Sequence, residues 1–277
     1  MSPVEAAGLV QELARLGRLA GAAILAWYGR TDVREQTKAD NSPVTAADLA
    51  AHAILADGLV DLLSGVPVVS EEGGPVDELL ARVRAARRFW LVDPLDGTRD
   101  FLAHSGEFAV SVALVEDGRP SVGLVHAPAS GDSFVAVLGH GAYRLDEMGV
   151  VTQVHSRRLA AAAWLCLVSR QHQAGEADRV RRTWPLCAIQ PLGSALKYAR
   201  IAEGAADLTL RFTPTSLWDT AAADCLLTEA GGILAGFDGA PLSYAGESLT
   251  NPPFFAAGDK SVDWPGRIAA LLATTRD

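Results

Sequence analysis

Asp93 and Asp96 stand three residues apart in WLVDPLDGTRDF, residues 90–101, with a proline between them and a glycine directly after. Trp90, Leu91 and Val92 read as a short strand covered on both faces, Pro94 removes a ladder donor and Gly97 is a turn residue, so both carboxylates are expected at a strand's end. Held that close, they repel each other unless a proton or a cation lies between them. The stretch contains no histidine, and a hard divalent ion with oxygen ligands suits such a pair, which points to magnesium.

Three further stretches place acids where apolar segments begin or end. DNSPVTAADLA carries Asp48. PVVSEEGG repeats the design of a strand emptying into carboxylates, Glu71 and Glu72, followed by two flexible glycines. In SLWDTAAADCLLTEAGG, Asp219 falls near the first turn of a helix, where the positive end of the macrodipole favours an anion. Asp48 has the same setting, and a plain capping acid after Thr45 accounts for it equally well. Each acid taken alone is also explained as an ordinary surface carboxylate. Their combination, in this order across residues 40–232, is far less ordinary.

The elements that must position these acids follow from periodicity. VQELARLGRLAGAAILAWY carries Val10, Leu13, Leu16, Ala20, Ile24 and Tyr28 at helical spacing, which predicts a helix over about 4–29. A second helix is expected in TAADLAAHAILADGLVDLL, with Leu55, Leu59 and Leu62 on one face. Strands are expected at VPVVS and RFWLVD, separated by a charged helix in DELLARVRAARR. A hairpin turning at Asp117 and Gly118 comes next, then strands at SFVAVL, GAYRL and VVTQVH. Residues 1–155 thus form a half with two helices, an antiparallel-leaning sheet and most of the acids. In residues 156–277 the pattern changes to alternation, with strands at WLCLVS, LCAIQ, ADLTLRF and FFAAG and helices at ADRVRRTW, SALKYARIAEG, LWDTAAADCLLTEAGG and WPGRIAALLAT, which reads as an α/β layer. No repeat, low-complexity tract or long linker divides the halves, so they are expected to share an interface and the site to lie there.

Composition narrows the chemistry. The 277 residues are 49% hydrophobic and 21% charged, ordinary for a globular chain, and a net charge of −9 disfavours a sequence-independent grip on a nucleic-acid polymer. A small anionic substrate is compatible with that charge if cations neutralise the site. Cys166, Cys187 and Cys225 are odd in number and form no C-x-x-C pair, which reads as reduced buried thiols in a cytoplasmic protein and argues against metal–thiolate chemistry. LAGAAILAWYG, flanked by Arg18 and Arg30, is too short to span a bilayer, and its continuous helical periodicity argues against a signal peptide, so no membrane association is expected.

The motifs D-N-S-P-V-T-x-x-D, S-E-E-G, D-P-L-D-G-T and W-D…E-A-G-G, occurring together, resemble those of the lithium-sensitive, magnesium-dependent phosphomonoesterases that include inositol monophosphatases and 3'(2'),5'-bisphosphate nucleotidases. The resemblance implies an α/β protein, a layered α/β/α/β/α sandwich of the sugar-phosphatase type, homodimeric, with two to three magnesium ions in each site. Carried over residue by residue, it makes Glu71, Asp93 and the Leu95 carbonyl ligands of one ion and Asp93, Asp96 and Asp219 ligands of a second, with a third near Glu71. Asp48 and Thr98 would orient and help deprotonate the attacking water, with Glu72 in support. Gly97 and Thr98, at a helix start, would offer backbone amides to the phosphate.

Within that group, KADNSPVTAAD, DGTRDFLAHSGEFAVSVALVEDGRPSVGLVHAP, VSRQH and PLGSALKYARIAEGAADLTLRFTPTSLWD look like bacterial 3'(2'),5'-bisphosphate nucleotidases of sulfate assimilation, whose substrate is adenosine 3',5'-bisphosphate. Gly193 and Ser194 would abut sugar or phosphate, Lys197 and Arg211 would hold the second phosphate, and His172 would contact substrate. By residue type alone Lys197 can equally be a solvated helix charge, Arg211 a surface strand residue and His172 a solvated loop histidine. Thr209 and Leu210 depart from the aromatic and proline that precede the arginine in those nucleotidases. The alternatives are an inositol-1-monophosphatase or other small sugar or polyol phosphatase, and a catalytically silent metal-binding homologue; Asp48, Thr98 and every proposed acidic ligand being present favours catalysis.

Overall fold

Along β4 (Arg88–Asp96), Phe89 and Leu91 enter one apolar cluster and Trp90 and Val92 another. A strand with period two that is buried on both faces must lie between two layers, and the rest of the chain supplies them. The computed structural model describes residues 1–30, 36–37, 43–160, 164–170, 173–246 and 248–273. Its first half holds α1 (Pro3–Leu25), β1 (Gln36–Thr37), β2 (Pro43–Val44), α2 (Ala46–Leu62), β3 (Val68–Ser70) and α3 (Val76–Ala85), then β4 and α4 (Thr98–Leu102). The strands β5 (Ala109–Glu116), β6 (Arg119–Ala127), β7 (Asp132–Val137), β8 (Gly141–Leu145) and β9 (Val151–Val154) follow. They complete a seven-stranded sheet in the order β3-β4-β5-β6-β7-β8-β9.

From β4 onward this sheet is antiparallel, as the hairpin pattern predicts, and β5 and β6 turn at Asp117 and Gly118, both at positive φ. The β3–β4 pair differs: it is parallel, with α3 as the crossover. A second difference lies at the acids. β4 does not stop before Pro94 but runs through it to Asp96, because the register shifts between Asp93↔Ser111 and Asp96↔Ala109. That bulge accommodates a proline in a central strand and leaves one extra residue to re-aim the chain.

The second sheet is built from β10 (Trp164–Val168), β11 (Cys187–Pro191), β12 (Leu208–Arg211), β14 (Ile233–Gly236) and β16 (Phe254–Ala257), in the order β11-β10-β12-β16-β14. Strands β10, β11 and β12 are parallel, while β16 runs antiparallel to β12 and β14. A small ladder of β13 (Thr215–Ser216) and β15 (Thr250–Asn251) stands beside it. The expected helix over LWDTAAADCLLTEAGG is divided into a 3-10 turn at Leu217–Asp219 and α7 (Ala221–Ala230), and the unexpected β14 follows, its four residues too short to announce a strand.

α1 and α2 pack on the outer face of the first sheet. α6 (Leu196–Ala202) and α7 lie between the two sheets, and α5 (Gln173–Thr183) and α8 (Trp264–Ala273) cover the far face of the second. The layers therefore run α/β/α/β/α. The three cysteines are buried and form no disulfide, and no helix among the described residues is long and apolar enough to cross a membrane.

Candidate active site

Parallel pairing of β3 with β4 sets Ser70 opposite Val92, so Glu71, just past the end of β3, comes beside Asp93 of β4, with the Glu71 N–H donating to the Val92 carbonyl at 3.0 Å. Asp93 shares the parity of Phe89 and Leu91 and therefore faces the α7 layer. Opposite it, the Ser111 hydroxyl donates to the Trp218 carbonyl at 3.3 Å, which ties the 3-10 turn and its last residue, Asp219, to this end of the sheet. Asp93 Oδ1 accepts the Leu95 N–H at 3.0 Å, and Asp219 Oδ2 accepts the Ser216 N–H at 2.9 Å.

Asp48 caps α2 and also reaches Thr98. Its Oδ2 closes a capping box with Thr45, accepting the backbone N–H at 2.8 Å and the hydroxyl at 2.6 Å. Its Oδ1 lies 3.2 Å from Thr98 Oγ1, which is also 3.2 Å from the Leu95 carbonyl. The pair expected to activate water is thus formed between the start of α2 and the start of α4.

Burial, reinforced by the neighbouring acids, holds the Asp93 and Asp219 carboxyls well above the usual carboxylate range. Asp96 is pushed up to about 6 by burial, opposed by the Lys197 charge and the Ala195 N–H. Asp48 is raised by burial against its bonds from Thr45. A hard cation would relieve this crowding, and the donors gathered here are all oxygens. As the side chains stand, no three acids among the described residues are close enough to share an ion. Asp93, Asp96 and Asp219 each turn one oxygen to a backbone amide.

The pH dependence of the metal-free protein follows. These acids bind protons more tightly folded than unfolded, so the stability they confer is complete below the ordinary carboxylate pKa and is lost as pH rises through the raised values, about 6 for Asp96. Buried Asp224, also raised to about 6, acts in the same sense. In chelator, the melting temperature at pH 8 is expected to lie on the order of 5 °C below that at pH 5. Magnesium should narrow the gap. Calorimetry showing equal melting temperatures in chelator would remove the crowded-acid account.

A cavity of about 820 Å³ takes in Glu71, Glu72, Asp93, Leu95, Asp96 and Asp219. It shares Glu71, Asp96, Gly97, Thr98 and Asp219 with a second of about 290 Å³, whose wall carries Ser194, Lys197 and Arg211. Gly97, at φ 90, caps α4, and a Cβ there would stand 3.2 Å from both the Glu107 carbonyl and Ser194 Cβ, so the turn needs glycine. The Ala195 N–H donates to Asp96 Oδ2. Lys197 is 9% exposed and its Nζ donates to the Ser194 carbonyl at 2.8 Å, so it is not a solvated helix charge. Arg211, at the end of β12, faces the cavity despite the departure at Thr209 and Leu210.

Gly193 does not line the wall; its N–H donates to Glu107 Oε2 at 2.8 Å, behind the turn. His172 lies outside the described residues. The sequence reading passed over Tyr198, Asp100 and Ser169, which also line the smaller cavity. Asp100 was legible in principle, one helical turn after Asp96 in the same motif.

Residues 9–274 match the inositol monophosphatase family. The chain is 40% identical over 248 residues to the 3'(2'),5'-bisphosphate nucleotidase CysQ of Escherichia coli strain K12, covering 89% of this chain and 98% of that protein. It is 33% identical to the protein of the same name from Aggregatibacter actinomycetemcomitans, covering 95% and 97%. Among solved structures, CysQ from Bacteroides thetaiotaomicron, a bacterial member of the inositol monophosphatase family, superposes with a TM-score of 0.75 at 30% identity, covering 90% of this chain and 97% of that one. An inositol monophosphatase from Zymomonas mobilis superposes with a TM-score of 0.73 at 26% identity, covering 95% and 97%.

Proposed function

The chain belongs to the inositol monophosphatase family, and from that premise we propose that it is a magnesium-dependent 3'(2'),5'-bisphosphate nucleotidase that hydrolyses adenosine 3',5'-bisphosphate to AMP and phosphate, acting in the cytoplasm as a homodimer. The observation that carries the substrate is the placing of Lys197 and Arg211 on the wall of a cavity that continues into the acids. A monophosphate needs only the acidic end. A second phosphate needs cations of its own, away from carboxylates that would repel it, and a guanidinium fork beside an ammonium meets that need.

Two to three magnesium ions would be held by Glu71, Asp93, the Leu95 carbonyl, Asp96 and Asp219, with Glu72 adjacent, and when bound would supply charge stabilisation to the attacking and leaving oxygens. The chain's own contribution begins with Thr98. By donating its hydroxyl hydrogen to Asp48, Thr98 turns a lone pair outward, where it accepts a hydrogen bond from a water and orients it. The water oxygen bonds to phosphorus as the bond to the 3' oxygen breaks; the water's proton passes to Thr98 Oγ1 as Thr98 passes its own to Asp48, and the departing 3' oxygen takes up a proton from solvent. Gly97 and Thr98, at the start of α4, offer amides to the phosphate oxygens. Ser194, with its carbonyl fixed by Lys197, shapes the wall against the sugar.

Phosphate release over about ten phosphoesters tests this, in magnesium, in magnesium with calcium, and in excess chelator. The highest kcat/KM is expected for adenosine 3',5'-bisphosphate. Calcium, larger and tolerant of looser coordination, should compete without supporting turnover. A preference for inositol 1-phosphate would transfer the assignment to a polyol phosphatase, and full activity in chelator would end the metal reading.

A further inference from the structure

Arg170 follows β10 and so belongs to the second sheet's layer, yet its guanidinium reaches Glu107, between α4 and β5 of the first. Nε donates to Glu107 Oε2 at 3.0 Å, Nη2 donates to Oε1, and Nε stands 3.8 Å from Asp100 Oδ1. The same Oε2 accepts the Gly193 N–H at 2.8 Å. One carboxylate of the first half therefore holds two groups of the second, the Arg170 guanidinium and the first amide of the turn whose Ser194 lines the cavity. Two residues on, the Ala195 N–H is held by Asp96.

Between these anchors Ser194 has φ +52, a left-handed conformation that a serine does not keep unaided. The turn also has no slack toward the protein, because a Cβ on Gly193 would lie 2.6 Å from Asp100 Oδ2. Its position depends on what Glu107 and Asp100 do, and both carboxylates lie against Arg170. Without that cation, the Glu107 carboxylate would stand uncompensated beside the turn and would lose the bidentate grip that aims it at Gly193, while Asp100 would keep the Lys197 charge and the Ser105 hydroxyl.

We infer that Arg170 and Glu107 form a strap between the two halves that positions the Gly193–Ser194–Ala195 turn for substrate, with Arg170 acting through Glu107. Both are positioning residues and neither touches the reacting atoms. The inference rests on the proposed function only in taking this turn as part of the substrate wall. It predicts a binding defect and not a chemical one, since the strap leaves Asp48, Thr98 and the acidic ligands in place.

The test uses Arg170→Gln, Glu107→Gln and the double variant. Arg170→Gln should raise KM about tenfold and leave kcat within about twofold, and amide exchange over residues 192–197 should quicken about tenfold while β5 is unchanged. Adding Glu107→Gln to Arg170→Gln removes the uncompensated charge and keeps an amide oxygen for Gly193, so it should recover most of the KM. A merely structural arginine would show no such rescue. Unchanged KM with unchanged exchange in Arg170→Gln overturns the strap, as does a loss confined to kcat, or a double variant no better than the single. KM is read on whichever phosphoester of the panel the wild type hydrolyses best. Exchange needs no substrate and decides alone if none is hydrolysed, so failure of the nucleotidase assignment is distinguishable from failure of the strap.

Discussion

Asp93→Asn and Asp219→Asn are each expected to lower kcat/KM by about 10³-fold, while the metal-free variants melt no lower than the metal-free wild type. The first number is the loss of about 4 kcal/mol of stabilisation that a metal ligand beside developing charge would contribute, each 1.36 kcal/mol being tenfold in rate. The second follows from electrostatics. Asp93 is buried and Asp219 half-buried on the cavity wall, and both are raised well above their usual range, first by desolvation and then by neighbouring acids, so a neutral amide relieves repulsion. The local hydrogen bonds survive, because an asparagine oxygen can still accept the Leu95 or Ser216 N–H. Steady-state kinetics on the best phosphoester, with calorimetry in chelator, reads both quantities. If the variants unfold in chelator, these aspartates are structural caps and the site has been misplaced.

Arg211→Ala is expected to raise KM for adenosine 3',5'-bisphosphate by roughly 10- to 150-fold, the worth of a charge-assisted bond of about 1.5–3 kcal/mol, and to change KM for inositol 1-phosphate little. The positive charge of Arg211 also reaches Asp96 and Asp219, lowering the pull of both for protons. Removing it should leave magnesium affinity unchanged or tighter, so a rise in KM cannot be put down to metal loss. Calorimetric magnesium titration of the variant checks that point. Equal impairment on both substrates would assign Arg211 to supporting the acids and would move the substrate toward a polyol phosphate.

The chemical character of this protein was legible in its residues because it depends on side-chain type. Carboxylates without histidine or cysteine partners call for a hard cation, and four such motifs in one order mark a family. Most helices and strands were legible as well, since periods of 3.6 and 2 are local properties of the chain. The local code was weakest where elements are short or irregular. It missed β14, it ended β4 before Pro94 where a bulge carries the strand on to Asp96, and it joined Leu217–Asp219 to α7.

Which groups meet was decided by long-range packing. The parallel register of β3 on β4 puts Glu71 beside Asp93, and the Ser111–Trp218 bond brings Asp219 to that sheet end from more than a hundred residues away. Lys197 had two readings by type, and its burial with Nζ on the Ser194 carbonyl sets the solvated one aside. For Asp48 the structure shows the cap and, on the other oxygen, a contact with Thr98 from fifty residues away. The Arg170–Glu107–Gly193 connection had no signal at all, because its members are 63 and 86 residues apart and each is unremarkable where it stands. Residue type sets what a group can do at any position, but a contact of that separation exists only once the layers have packed, and its partner cannot be read from neighbours in the chain.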